Sequence, residues 1–436
     1  MTSTVFALAT PAGRSGVAVI RISGPGAGAA LRRMTGRDLP APRVAVRRRF
    51  LGTSDVVLDD GLALWFPGPA SFTGEDVVEL HIHGGPAIIA AMAESLAGQG
   101  LQPAEPGAFT HRAFDNDKLD LTEVEGLADL IAAETEAQRR QALLQLEGAF
   151  GKEVETWRGG LLGALARIEA AIDFPEEDLP TGLIAGVDDA MRAIGAEIAR
   201  MLDDDHRGER LREGLSVVIL GAPNAGKSSL MNCLAKRDVA IVSDEAGTTR
   251  DVIELHLDLG GYPVQLADTA GLRESGSRIE TEGVRRALAR AARADLKLIV
   301  LDGASWPDIP EASRAQIDAQ SILVLNKADL LKGAPEGAVI AVSALTGSGI
   351  SDLLAVLRER AAGLLAAGDQ PMLTRLRHRE ALEDCRQCLA RGLVVGPVEL
   401  KAEELRLATR ALGRITGRVD VEDVLDVIFR EFCIGK

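Results

Sequence analysis

Aromatic side chains are scarce in this 436-residue chain, which holds 3 tryptophans, 1 tyrosine and 10 phenylalanines. Its helices and cores therefore rest on Ala, Leu and other aliphatic residues, and a hydrophobic content of 46% is ample for globular folding. Cysteine is equally sparse: Cys233, Cys385, Cys388 and Cys433 are too few for a disulfide framework and fit a reducing interior. Positive charge is outweighed, with 49 Lys and Arg against 64 Asp and Glu for a net charge of −15. Such a chain is not a generic nucleic-acid binder, and any RNA contact needs a local basic patch. There is no basic start followed by an apolar core, and no apolar run long enough to span a membrane. The expected location is cytoplasmic.

What is present is organised around Gly221-Ala222-Pro223-Asn224-Ala225-Gly226-Lys227-Ser228. The apolar run at residues 215–220 precedes it and a helix-like stretch beginning at Ser229 follows, so the sequence reads strand, glycine-rich turn, helix. Backbone N–H groups of such a turn, through Asn224, Ala225 and Gly226, can cradle phosphate oxygens. Lys227 can reach the outer phosphates, and the Ser228 hydroxyl can bind magnesium.

The length predicts about three domains. Residues 1–118 read as a mixed α+β domain, with strand candidates at 16–24, 44–50, 55–58, 61–66 and 77–83 and a short helix near 30–34. Along the last strand Val78, Leu80 and Ile82 share one face while Glu79, His81 and His83 share the other. That polar row is either a set of metal ligands or the polar face of a small-ligand site, and the second reading is preferred because no cysteine lies nearby. Arg21 stands alone in an apolar strand and needs a buried partner. Arg47-Arg48-Arg49 reads as a solvated strand edge or, less readily, an RNA phosphate contact. Residues 119–211 and 368–436 have helical periodicity, and neither is comfortable alone. The two are expected to form one all-α domain interrupted by residues 212–367. Cys385 and Cys388 lie within that pattern and read as core cysteines on one side of a helix.

Four further elements follow the phosphate loop in order. Residues 247–251 contain Thr248 and Thr249, a threonine here being able to complete magnesium coordination. Two strands joined at Gly260-Gly261 lead into Asp268-Thr269-Ala270-Gly271, where Asp268 suits a magnesium-bound water and Gly271 the terminal phosphate. Asn326-Lys327-Ala328-Asp329 follows a strand; Asp329 can accept from the ring N–H and amine of guanine, which adenine cannot match. Ser343-Ala344-Leu345 offers backbone N–H groups to the guanine oxygen. In this order and spacing the set specifies a GTPase. Leu272 cannot orient the attacking water, which leaves Glu280 and Glu282 as candidates.

Taken together, Arg21-Ile22-Ser23-Gly24, residues 71–76 (Ser-Phe-Thr-Gly-Glu-Asp), residues 116–121 (Asn-Asp-Lys-Leu-Asp-Leu), residues 268–274 and the final Phe432-Cys433-Ile434-Gly435-Lys436 resemble the bacterial MnmE (TrmE) family of tRNA-modification GTPases over nearly the full length. The resemblance implies a multidomain α/β chain: an N-terminal α+β folate-binding-like domain, an all-α central domain and an inserted Ras-like P-loop GTPase domain with a doubly wound sheet. It implies a homodimer that assembles with the flavoprotein MnmG (GidA) as a heterotetramer. Together they place an aminomethyl or carboxymethylaminomethyl group on carbon 5 of a tRNA wobble uridine, with a tetrahydrofolate derivative as one-carbon donor. By motif match Arg21, Glu79, Lys118 and Lys436 fall at folate-binding positions, Cys433 at a position implicated in the modification and Glu280 at the water-orienting glutamate. Potassium, with Asn224 as side-chain ligand and the backbone around Ser243, Glu245 and Thr248 completing its site, takes the place of an arginine finger in that family. Glu245 stands where an apolar residue is expected. The competing readings are a regulatory GTPase in ribosome assembly, and a folate-dependent one-carbon transferase in which the GTPase only regulates.

Overall fold

The computed structural model describes residues 3–52, 55–173, 185–241, 254–268, 291–331, 333, 335, 337–366, 370–419, 425, 428–430, 432, 434 and 435. The chain forms two compact units. One comprises Met1–Ala128, Gln145–Met191 and Gln387–Lys436, and the other Asp129–Leu144 and Arg192–Arg386.

The first unit is built on a six-stranded sheet of β1 (Val5–Leu8), β2 (Ser15–Ser23), β3 (Val46–Leu51), β4 (Val57–Phe66), β5 (Val77–Gly84) and β6 (Gln102–Pro103), in the order β3-β4-β5-β2-β1-β6. Pairing is antiparallel except between β1 and β6. Alternation aims Ile20, Ile22, Val78, Leu80 and Ile82 at one face, where helices Ala27–Thr35 and Pro86–Gly98 cover them with Leu31, Met34, Met92 and Leu96. Residues 55–58 and 61–66, expected as two strands, belong to a single β4 beginning at Val57. Gly61 is no break. A Cβ there would come within 2.1 Å of the His81 carbonyl on β5, so glycine marks a close backbone approach inside a continuous strand. β3 is an edge strand, and its Arg47 pairs with Asp60 at 2.9 Å, as a solvated edge requires.

In the same unit the 25-residue helix Ala149–Asp173 buries Phe150, Val154, Trp157, Leu161, Leu165 and Ile168 at helical spacing. It packs against helix Val398–Thr416, and Thr416 Oγ1 donates to Glu155 Oε1 at 2.9 Å. Distant stretches of sequence thus bury each other's apolar stripes. The end of the chain returns to the sheet domain. Ile428, Phe429 and Phe432 share a core with Leu121 and Val124, the Phe429 ring lies 4.6 Å from that of His111, and Ile434 forms a β-bridge with Pro106.

The second unit holds a seven-stranded sheet of β7 (Leu215–Leu220), β8 (Ala240–Ile241), β9 (Glu254–Asp258), β10 (Pro263–Asp268), β11 (Leu296–Asp302), β12 (Ser321–Asn326) and β13 (Ile340–Ala341). Its order is β13-β12-β11-β7-β10-β9-β8. β7 lies parallel to both β10 and β11, and β9 returns antiparallel to β10 through Gly260-Gly261. The central strands are apolar on both faces because both are covered: Val217 and Ile219 enter one core, Val218 and Leu220 the other. Residues 129–144 join this unit through hydrogen bonds. Ala137 N donates to Gly261 O at 3.0 Å, Gln138 Nε2 to Arg212 O at 3.0 Å, and Asp129 accepts from Arg212 and Arg375.

Cys385 and Cys388 are both buried in helix Leu376–Val394. Burial pushes the Cys388 thiol up from its usual pKa, the mark of an inert core thiol. No helix among the described residues is long and apolar enough to cross a membrane. The close approach at Gly61 yields a test. Gly61→Val should destabilise the chain by about 1–3 kcal/mol, read as a lower urea midpoint together with faster amide exchange in β4 and β5.

Candidate functional site

The turn after β7 is where the parallel sheet reverses its strand order, the crevice in which such sheets bind ligands. Gly226 (φ 91°) caps helix Lys227–Ala235 in a left-handed conformation, and Asn224 also has a positive φ of 64°. A Cβ on Gly226 would lie 2.1 Å from Asn326 Nδ2, so the loop closes on the neighbouring motif only with glycine at this point. Lys227 Nζ donates to Gly221 O at 2.9 Å and Ala222 O at 3.1 Å, holding the ammonium over the loop. Ser228 and Ser229 stand exposed in the first helical turn. Ser228 Oγ donates to Asp268 Oδ2 at 3.0 Å, which brings the end of β10 to the same point.

Two further motif segments, Asn326–Asp329 and Ser343–Leu345, project from the ends of β12 and β13. Asn326 is 2% exposed and ties three segments together. Its Nδ2 donates to Ala225 O at 2.9 Å, and its Oδ1 accepts from Ala344 N at 3.1 Å. Lys327 takes a left-handed φ of 62°, and its ammonium reaches Asp302 Oδ2 at 2.6 Å. Ser343 Oγ donates to Asp329 Oδ1 at 2.5 Å, orienting the exposed carboxylate. Burial pushes the Asp302 carboxyl up, but hydrogen bonds from Lys327 and Ala304 N and the Lys327 charge outweigh it and leave it below the usual carboxylate range. Leu345 is 88% exposed beside a cleft of about 460 Å³ lined by Ser229, Asn232, Cys233, Ala344 and Thr346.

Thus Asn224, Ala225, Gly226, Lys227, Ser228, Ser229, Asp268, Asn326, Lys327, Asp329, Ser343, Ala344 and Leu345 gather along one edge of one sheet. Ser243, Glu245, Thr248, Thr249, Thr269, Ala270, Gly271 and Glu280 lie outside the described residues, as do Cys433 and Lys436. Asp302, which the motif reading does not include, belongs to this edge. Its only sequence signal is its place at the end of an apolar strand.

A second polar site lies in the first unit, on the sheet face opposite the Ile20 and Leu80 core. Arg21 and Glu79 are cross-strand partners of β2 and β5, and Arg21 Nε and Nη2 both donate to Glu79 Oε1, at 3.2 and 2.9 Å. The guanidinium also lies 5.7 Å from the Phe72 ring centroid and 5.8 Å from that of Phe109. Arg21 thus has the partner its apolar strand demanded. His81 Nε2 lies 3.4 Å from Glu79 Oε2, whereas His83 Nδ1 pairs with Asp59 on β4 at 2.8 Å. Burial raises the Asp59 pKa, but hydrogen bonds from His83 and its charge bring the net value below normal. No metal-binding cluster of His, Cys, Asp or Glu occurs among the described residues.

The loop carrying Phe72 is pinned from below. Ser23 Oγ donates to Glu75 Oε2 at 2.8 Å, Arg112 Nη1 reaches the same oxygen at 2.6 Å, and Asn116 Nδ2 donates to Thr73 O at 2.7 Å. The exposed Lys118 side chain passes Gly74 of that loop. Phe109 and Arg112, on helix Ala108–Asp115, have no sequence motif of their own and enter the site only through the fold.

Comparison with known proteins shows which family the chain falls in. The profile of the GTP-binding protein TrmE N-terminus matches residues 4–118, and that of the MnmE helical domain matches residues 121–433. The tRNA modification GTPase MnmE of Parvibaculum lavamentivorans is 59% identical over 442 residues, covering 99% of this chain and all (100%) of that one. Its namesake in Paramagnetospirillum magneticum is 54% identical over 441 residues, with 100% of both chains covered. With these matches running end to end, the chain belongs to the MnmE (TrmE) family of tRNA modification GTPases.

Proposed function

We propose that this GTPase couples GTP hydrolysis to remodelling of carbon 5 of a tRNA wobble uridine, acting as a homodimer with a flavoprotein partner of the MnmG type in the cytoplasm. The observation that carries the nucleotide half is Asn326, whose one amide joins the phosphate loop to the Ser343–Leu345 turn. Residues 212–367 act as the GTPase domain, inserted between helical segments 119–211 and 368–436 that follow an N-terminal domain of residues 1–118.

In this reading Ala225, Gly226, Lys227 and Ser229, with Thr269, Ala270 and Gly271, hold phosphate. Asn326, Lys327, Asp329, Ser343, Ala344 and Leu345 hold guanine. The adjoining Ser228 hydroxyl and Asp268 carboxylate are the hard oxygen donors that magnesium takes, directly or through water, with Thr249 as a further ligand. Magnesium supplies charge neutralisation at the terminal phosphates. The exposed Asn224 is the side-chain ligand for potassium, with Ser243, Glu245 and Thr248 contributing backbone. Glu280 orients the attacking water.

The Arg21–Glu79 pair between Phe72 and Phe109 suits a flat, hydrogen-bonding heterocycle. Glu79 can accept from a pterin amine, and the rings can flank its plane. Arg21, Glu79, Lys118 and Lys436 would hold a tetrahydrofolate derivative, which supplies the one-carbon unit. Cys433 acts in the modification; its neighbours Phe432 and Ile434 rest beside Leu121 and Pro106, close to the helix that carries Phe109.

Three outcomes are expected. Asp329→Asn should weaken GTP binding at least about a hundredfold and favour xanthosine triphosphate, whose C2 carbonyl oxygen, in place of the guanine amine, the new amide can donate to; competition binding measures this. Glu280→Ala should lower GTP turnover about a hundredfold or more with nucleotide affinity unchanged, and intact turnover would remove that role. In cells lacking this gene, mass analysis of tRNA should show wobble uridines without the carbon-5 substituent, restored by the intact gene and not by Cys433→Ser. Unchanged tRNA would shift the assignment to ribosome assembly.

A further inference from the structure

We infer that Asp302 is a positioning residue for guanine recognition: it anchors the Lys327 ammonium so that the lysine stem is held across the face of the base. The inference rests on the guanine-binding reading of the Asn326–Asp329 motif and names a group outside that motif.

The geometry is specific. Asp302 closes β11 and Asn326 closes β12, and the two are register partners in the parallel pairing, so Lys327 emerges directly beside the Asp302 carboxylate. The two oxygens divide their work. Oδ1 accepts from Ala304 N at 3.0 Å and caps the short helical turn Gly303–Ser305, while Oδ2 accepts from Lys327 Nζ at 2.6 Å. A carboxylate already fixed by its own backbone turn is a rigid anchor. A rigid anchor removes the rotational freedom that a four-carbon lysine stem otherwise loses only when the base arrives.

Lys327 is held at its other end as well. Its backbone is left-handed (φ 62°), and the next residue's N–H donates to Val342 O at 2.9 Å. With Cα and Nζ both fixed, the methylenes between them form a strap whose course the protein sets in advance. Neither Asp302 nor Lys327 is fully buried, their side chains being 25% and 35% exposed, so the pair acts through geometry more than through net charge attraction.

The test uses the full-length chain, a fluorescent GDP analogue, and the substitutions Asp302→Asn and Lys327→Met singly and together. Asparagine still accepts from Ala304 N, so the turn is kept, whereas the charged anchor for Lys327 is lost; methionine keeps an apolar stem that needs no anchor. Asp302→Asn is expected to weaken GDP binding about three- to tenfold, chiefly through faster release, with an unchanged melting temperature. In the Lys327→Met background the same substitution is expected to cause no further loss. GDP binding by Asp302→Asn equal to that of the unsubstituted chain would overturn the inference, as would an equal loss in both backgrounds. Failure of the unsubstituted chain to bind GDP would instead remove the guanine-binding reading itself.

Discussion

The edge of the second sheet where the glycine-rich loop meets the Asn326–Asp329 motif depends on one buried amide. Asn326 has a donor committed to Ala225 in the phosphate loop and an acceptor committed to Ala344 after β13. A primary amide is the side chain that donates on one side and accepts on the other without carrying charge, and an unpaired amide in this nearly closed position would be costly. The packing around it explains the residues nearby. Gly226 must lack a Cβ because the Nδ2 atom occupies that space. The apolar faces of β7 and β12 must be covered on both sides so that their ends stay in register with each other.

The Arg21–Glu79 site follows a related logic with charge in place of a neutral amide. A guanidinium on an apolar strand is tolerable because its cross-strand neighbour is a carboxylate and two aromatic rings flank it. Both groups keep part of their surface open, at 20% of each side chain, so the pair is available to a ligand as well as to itself. Glu75, shared between Ser23 and Arg112, holds the Phe72 loop against the sheet, and the whole arrangement is a polar patch on a rigid floor.

Much of this could be read from residue order. The alternation in β5 predicted which side chains face the core and which face the polar site, and the burial pattern follows it from Val78 to His83. The apolar run of β7 and the strand before Asn326 were legible, and Gly260-Gly261 announced the hairpin. The expected interruption at Asp59-Asp60 does not occur, because those carboxylates, poor strand formers by local preference, pair with His83 and Arg47 on the neighbouring strands.

By itself the sequence determined the GTPase chemistry and the family, because phosphate and guanine recognition use short contiguous motifs whose spacing is set by local backbone geometry. Tertiary structure alone decided which groups outside those motifs join them. Asp302 meets Lys327 across 25 residues, Arg21 meets Phe109 across two elements, and the Ile434 segment returns to Pro106. Such meetings depend on strand order and helix packing, which are properties of the whole buried core and leave no periodic trace in the residues that come together.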